Sequence, residues 1–137
     1  MKVKLDEGAY MPERAHDTDA GIDLRCRTGK IIWPKCYGTF DTGVHLELPE
    51  KTYGKIESKS GLNVKHNIVS CGGIIDEEYT GSIRVKLYNL GWLPYRFQKG
   101  DKIAQLVINE YKAPWMLESE NLKETKRGSN GFGSTGR

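Results

Sequence analysis

The chain has 137 residues, a length that suits one domain with a real core and leaves little for a second. Only 37% of its residues are hydrophobic, so the core must be thin or must be completed by another copy of the chain. Its 21 basic and 18 acidic residues give a formal charge of +3 and are mixed along the sequence, which argues against a nucleic-acid or membrane partner.

Short apolar or alternating segments recur between turn signals at roughly 20–25, 30–33, 37–48, 53–58, 82–88, 95–97 and 103–108. Such spacing predicts an all-β sandwich or barrel. Between Ser82 and Tyr88 the apolar Ile83, Val85 and Leu87 alternate with Arg84 and Lys86, the period of a half-buried strand. One helix is expected, from Ser60 to about Lys65, with Ser58 or Ser60 as its N-cap. Near residue 121 the aliphatic residues give out, and NLKETKRGSNGFGSTGR is rich in glycine, serine and charge. The expectation is one β domain over 1–120 and a flexible tail over 121–137 that builds no core.

Cys26, Cys36 and Cys71 are odd in number and lack CxxC spacing, and the histidines do not cluster with them; they read as reduced thiols without a zinc site. No apolar run has signal-peptide or membrane-span length. A soluble protein, cytoplasmic or otherwise intracellular, is expected.

Five segments carry possible chemistry. In Asp19-Ala20-Gly21-Ile22-Asp23-Leu24, strand alternation puts Asp19, Gly21 and Asp23 on one face, so two carboxylates flank a residue without a side chain. That recess suits hydrated magnesium, which prefers oxygen ligands; it equally suits a half-solvated edge strand. In Glu57-Ser58-Lys59-Ser60-Gly61-Leu62-Asn63 a strand end passes into a helix start, where N–H groups, hydroxyls and a lysine can converge on an anion, or simply form a small-residue turn. In the segment from Gly72 to Gly81, GGIIDEEYTG, a carboxylate such as Asp76 can orient and deprotonate water, and Tyr79 can lie against a sugar. The bland alternative is a solvated acidic hairpin with a packing tyrosine.

The fourth segment, Gly100 to Ile108, is apolar on both faces after Lys102 except for Gln105. That amide either bonds the backbone or turns its NH₂ to a phosphate oxygen. The fifth is the tail itself, Arg127 to Gly136, with a basic residue, flexible N–H donors, two adjacent hydroxyls and the ring of Phe132. It lacks the GxxxxGK[ST] pattern of a phosphate-binding loop.

All five, in this order from Asp19 to Gly136 and ending in GFGSTG, resemble the five motifs of the trimeric dUTPase family, the deoxyuridine 5'-triphosphate nucleotidohydrolases. The resemblance implies a distorted jelly-roll β-sandwich or barrel with one short helix. It also implies a homotrimer with shared active sites, over which the tail of one subunit closes. The implied reaction is hydrolysis of dUTP to dUMP and pyrophosphate with Mg²⁺, Asp76 activating the water that attacks the α-phosphorus. Asp23 would hold the metal through water. Lys59, Ser60, Gly61 and Gln105 would bind substrate, Ser60 and Gln105 near the α- and β-phosphates. Arg127, Ser134 and Thr135 would hold the γ end, with Phe132 stacked over uracil and Gly133 beside it. A β-hairpin from about Ser70 to Tyr79, with Gly73 and Ile75, would read the uracil edge through its main chain, and Tyr79 would exclude a ribose 2′-hydroxyl.

Four positions depart from the family's usual residues: Lys59 and Lys102 stand where arginine is usual, Asn63 where alanine is, and Glu78 where aspartate is. Lysine keeps the charge and loses the planar fork. Two other functions stay open on sequence grounds: a dCTP deaminase of the same fold, which would release ammonia, and a non-catalytic dUTP-binding or signalling module, which would not release pyrophosphate.

Overall fold

The computed structural model describes residues 1–129. Its elements in chain order are β1 (Lys2–Leu5), β2 (Gly21–Arg25), β3 (Lys30–Ile32), β4 (Tyr37–Asp41), β5 (Val44–Glu47), β6 (Thr52–Glu57), α1 (Ser60–His66), β7 (Ile68–Ser70), β8 (Ile74–Ile75), β9 (Arg84–Asn89), β10 (Tyr95–Phe97) and β11 (Lys102–Glu110). The strands form a four-stranded sheet ordered β2-β11-β6-β8, a three-stranded sheet ordered β4-β9-β7, and the pairs β1-β5 and β10-β3. Every pairing is antiparallel, and among the described residues no sheet closes into a barrel. This is the jelly-roll sandwich with one short helix that the sequence implied.

The two larger sheets supply the core. Ile22, Leu24, Ile56, Ala104 and Leu106 come from one, and Phe40, Ile68, Val85 and Leu87 from the other. Phe97 of β10 meets Phe40 edge-on, with ring centroids 5.1 Å apart. In β9 the alternation read from sequence is realised: Val85 and Leu87 are buried while Arg84 and Lys86 are exposed.

The expected run 37–48 is two strands, β4 and β5, divided at Thr42-Gly43. Thr42 is buried there and donates its hydroxyl to the Ile83 carbonyl at 2.7 Å. Periodicity did not predict β1, β7 or β8, which are two to four residues long, too short to show a period; only the implied hairpin from about Ser70 to Tyr79 touched the last two. The helix lies where predicted, but its cap differs. Lys59 occupies the N-cap position without a side-chain capping bond, and the Ser58 hydroxyl is taken up across the chain by the Ser70 N–H at 2.8 Å.

Two polar knots tie the sheets together. Asn89, fully buried at the end of β9, donates to the carbonyls of Ile32 at 3.0 Å and Leu93 at 2.8 Å, and its side-chain oxygen accepts the Gly91 N–H at 2.9 Å. The second knot joins Arg27 to Asp6 at 3.2 Å and to Asp41 at 3.1 Å, while Asp41 also accepts the Ser82 hydroxyl and the Gly43 N–H. The Ser82 bond, working against partial burial, and then the Gly43 N–H and Arg27 hold the Asp41 carboxyl below its ordinary value.

Asn89→Ala would leave buried partners of that amide unsatisfied and is expected to cost about 2–4 kcal/mol, read as a lower urea midpoint at fixed protein concentration. The Asp41 bonds contribute fully above the ordinary carboxylate value of about 4 and are lost as pH falls through the lower folded value. The stability gap between wild type and Asp41→Asn should therefore be present at neutral pH and shrink as pH drops below about 4.

Candidate functional site

The long strand β11 lies between β2 and β6, and its register sets one recess. Gln105 stands opposite Asp23 on one side and Glu57 on the other. Its amide donates to the Ser58 carbonyl at 3.1 Å, the backbone bond that was one of the two outcomes expected. The gap expected at Gly21 is filled: a Cβ there would lie 2.2 Å from the Gln105 Oε1. Gly21 is thus required by the close approach of this amide, and the space available to a ligand lies beside it.

A register shift between Lys102 and Ala104 adds one residue to β11, so Ile103 and Ala104 are both buried. Lys102 then pairs with Arg25 and falls on the same sheet face as Asp23 and Gln105. Its Nζ lies 2.6 Å from Asp23 Oδ2, and Lys59 donates to Oδ1. Oδ2 is buried, and the tight ion pair with Lys102 is what faces it among the described residues. Asp23 is only 5% exposed. Burial pushes its carboxyl up, but the two lysines outweigh burial and leave it below its ordinary value. Asp23, Lys59 and Gln105 line a cavity of about 380 Å³ together with Asp19 and Gly21. Ser60 and Gly61, the first residues of α1, follow Lys59 directly and are exposed.

Asp76 belongs to a different cavity. Gly72 and Gly73, at φ 79° and 144°, carry the chain from β7 to β8, a conformation that favours glycine. The two strands do not pair with each other: β7 bonds β9 and β8 bonds β6. The expected hairpin from Ser70 to Tyr79 is therefore a crossover between sheets, and this corrects the expectation. Ile75 is buried in the core, and its backbone pairs with Gly54 of β6. The exposed Asp76 lines a cavity of about 590 Å³ with Tyr53, Ile74, Glu77, Glu78 and Tyr111. Tyr79 closes the turn with its N–H on the Asp76 carbonyl at 3.0 Å and donates its hydroxyl to Ser82 at 3.1 Å.

Glu77 escaped notice in the sequence. Its carboxylate accepts the Tyr111 hydroxyl at 2.6 Å and the Lys51 N–H at 2.9 Å, fastening the Asp76 turn to the end of β11. A tyrosine directly after the apolar run of β11 is a faint signal at best. Nothing in the sequence around Lys102 announces the bulge that brings it to Asp23.

Within one chain the two cavities stay apart. From the register, the Gln105 and Ile75 backbones are separated by two strand spacings and three residues, roughly 14 Å. Arg127 is exposed in the segment beyond β11. Phe132, Gly133, Ser134 and Thr135 lie outside the described residues. Among the described residues no three carboxylate, histidine or cysteine side chains converge as a metal cage.

Comparison with known proteins gives these residues a context. The dUTPase family model matches residues 7–136. A deoxyuridine 5'-triphosphate nucleotidohydrolase of Clostridium tetani (strain Massachusetts / E88) is 41% identical over 100% of this chain and 97% of its own. A point variant of the Staphylococcus bacteriophage 80alpha dUTPase, solved with dUpNHpp, superposes with a TM-score of 0.89 at 31% identity, covering 99% of this chain and 98% of that one. A point variant of the dUTPase from phage phi11 of S. aureus, described for its coordination of a structural Mg(II) ion, gives a TM-score of 0.82 at 28% identity over 88% and 96% of the two chains. With a family model spanning nearly every residue and a relative at 41% identity from end to end, this chain belongs to the dUTPase family.

Proposed function

We propose that the chain hydrolyses dUTP to dUMP and pyrophosphate, with Asp76 orienting a water and taking its proton as that water attacks the α-phosphorus. The observation that carries this reading is the match to dUTP nucleotidohydrolases over the whole chain, which takes in all five segments. An exposed carboxylate on a turn fastened by Glu77 is suited to hold a water in one orientation.

Lys59, Ser60, Gly61 and Gln105 form the phosphate side of the site in this reading, Ser60 and Gln105 serving the α- and β-phosphates. Arg127, Ser134 and Thr135 hold the γ end, Phe132 and Gly133 cover the uracil, and the main chain around Gly73 and Ile75 reads its edge. Tyr79 lies against the deoxyribose and leaves no room for a 2′-hydroxyl. A base such as cytosine, with donor and acceptor exchanged, would leave buried polar groups unpaired, and that can be rejected by large factors.

Asp23 Oδ2, buried and faced among the described residues by the Lys102 ammonium, would accept from one water of a hydrated magnesium ion once that ammonium gives way, so Asp23 would hold the metal through water. When bound, the ion would spread the charge that develops on the departing pyrophosphate.

A homotrimer with shared sites is part of the proposal. Phosphate-side and Asp76-side residues line separate cavities in a single chain, and a second copy can bring one of each together. Trp115, Met116 and Leu117, 95%, 95% and 88% exposed beyond the last strand, are apolar side chains in need of such a neighbour. The tail over 121–137 would then close on a site that its own chain does not complete.

Pyrophosphate release from dUTP, dCTP, dTTP and UTP with magnesium is the test. Release from dUTP alone is expected, with kcat lowered roughly 10²–10⁴-fold in Asp76→Asn and KM little changed. A wild-type chain that leaves dUTP intact would remove the proposal, and ammonia from dCTP would replace it with a deaminase. Gly21→Ala, whose added methyl must push Gln105 aside, should cost roughly 10–100-fold in kcat/KM.

A further inference from the structure

We propose that Lys102 is the resident counter-ion of Asp23, so that a divalent cation gains this carboxylate only after the Lys102 ammonium has been drawn away. The proposal deepens the reading above, in which an anionic triphosphate enters the same cavity and supplies that pull.

The argument begins with charge. Asp23 carries one negative charge and faces two ammonium groups, Lys59 at Oδ1 and Lys102 at Oδ2. The two ammonium groups already neutralise the Asp23 carboxylate, so a dication gains little from it while both stay in place. Gln105 on the same face is neutral and already bonds the Ser58 carbonyl. Arg25, across the strand from Lys102, adds a further positive charge and donates to the Gly100 carbonyl at 2.8 Å. Asp19, the other carboxylate lining the cavity, accepts the His16 N–H at 3.0 Å.

The two lysines are not equivalent. Lys59 makes a hydrogen bond to Oδ1, and its side chain is 26% exposed. Lys102 lies 2.6 Å from Oδ2, is 37% exposed, and reaches Asp23 only because the bulge turns it onto that face. It is the more exposed of the two and the one with solvent to move into. A flexible lysine stem can swing from a carboxylate to an incoming phosphate, whereas arginine's fork is fixed in plane. Oδ2, released in this way, is the oxygen left to accept from a metal-bound water.

The test uses Mn²⁺ as a paramagnetic stand-in for Mg²⁺ and the full chain without nucleotide, reading free ion by electron paramagnetic resonance. Wild type should bind Mn²⁺ weakly, and Lys102→Met at least tenfold more tightly. Lys102→Arg should stay at the wild-type level, and the double variant Asp23→Asn, Lys102→Met should lose the gain. Circular dichroism checks that each variant is folded. Equal affinity in wild type and Lys102→Met would overturn the proposal, as would a gain that persists without the Asp23 carboxylate. No turnover is involved, so this result stands apart from the assay of dUTP hydrolysis.

Discussion

Backbone pairing along Lys102–Glu110 governs the molecule. This strand is bonded on both edges, to β2 through Gln105, Leu106 and Val107 and to β6 through six successive residues. A slip of one residue would exchange its faces, driving Gln105 into the core and Leu106 out of it. Such a slip is opposed by Leu106, which is fully buried, and by Gln105, whose amide lies in the space that a Cβ at Gly21 would take. Core and recess are thus two faces of one register.

Much of this was legible in sequence because it depends on local pattern. Period two in β9, the apolar run of β11 and the small-residue entry to α1 are visible in neighbouring residues. The family was legible by resemblance, as five ordered segments. What escaped depends on pairing between distant parts of the chain. The bulge at Ile103 exists only relative to β2, and so the ion pair of Lys102 with Asp23 cannot be read from either segment alone. The serines beside α1 looked like caps, but Ser58 was claimed by Ser70 twelve residues on. The glycines at 72 and 73 suggested a hairpin, and the chain instead changes sheets there.

The crossover at Gly72-Gly73 also separates two mechanical roles. On one side β7 is held in the sheet of β4 and β9, and on the other β8 is a two-residue extension of β6. The turn bearing Asp76 therefore hangs from a short strand, and the bonds from Glu77 to Tyr111 and Lys51 give it a second attachment. Holding the turn from two directions restricts the orientation of its side chains more than added length in β8 alone could.

The surface placement of the aromatic rings has a practical side. Trp33, Trp92 and Trp115 are 62%, 83% and 95% exposed, and the chain has three tryptophans in all. Intrinsic indole emission consequently samples water in a single folded chain nearly as it does in an unfolded one. A shift of that emission to shorter wavelength would report burial of these rings against another molecule, which makes the natural fluorophores of this protein observers of its surfaces and nearly blind to its core.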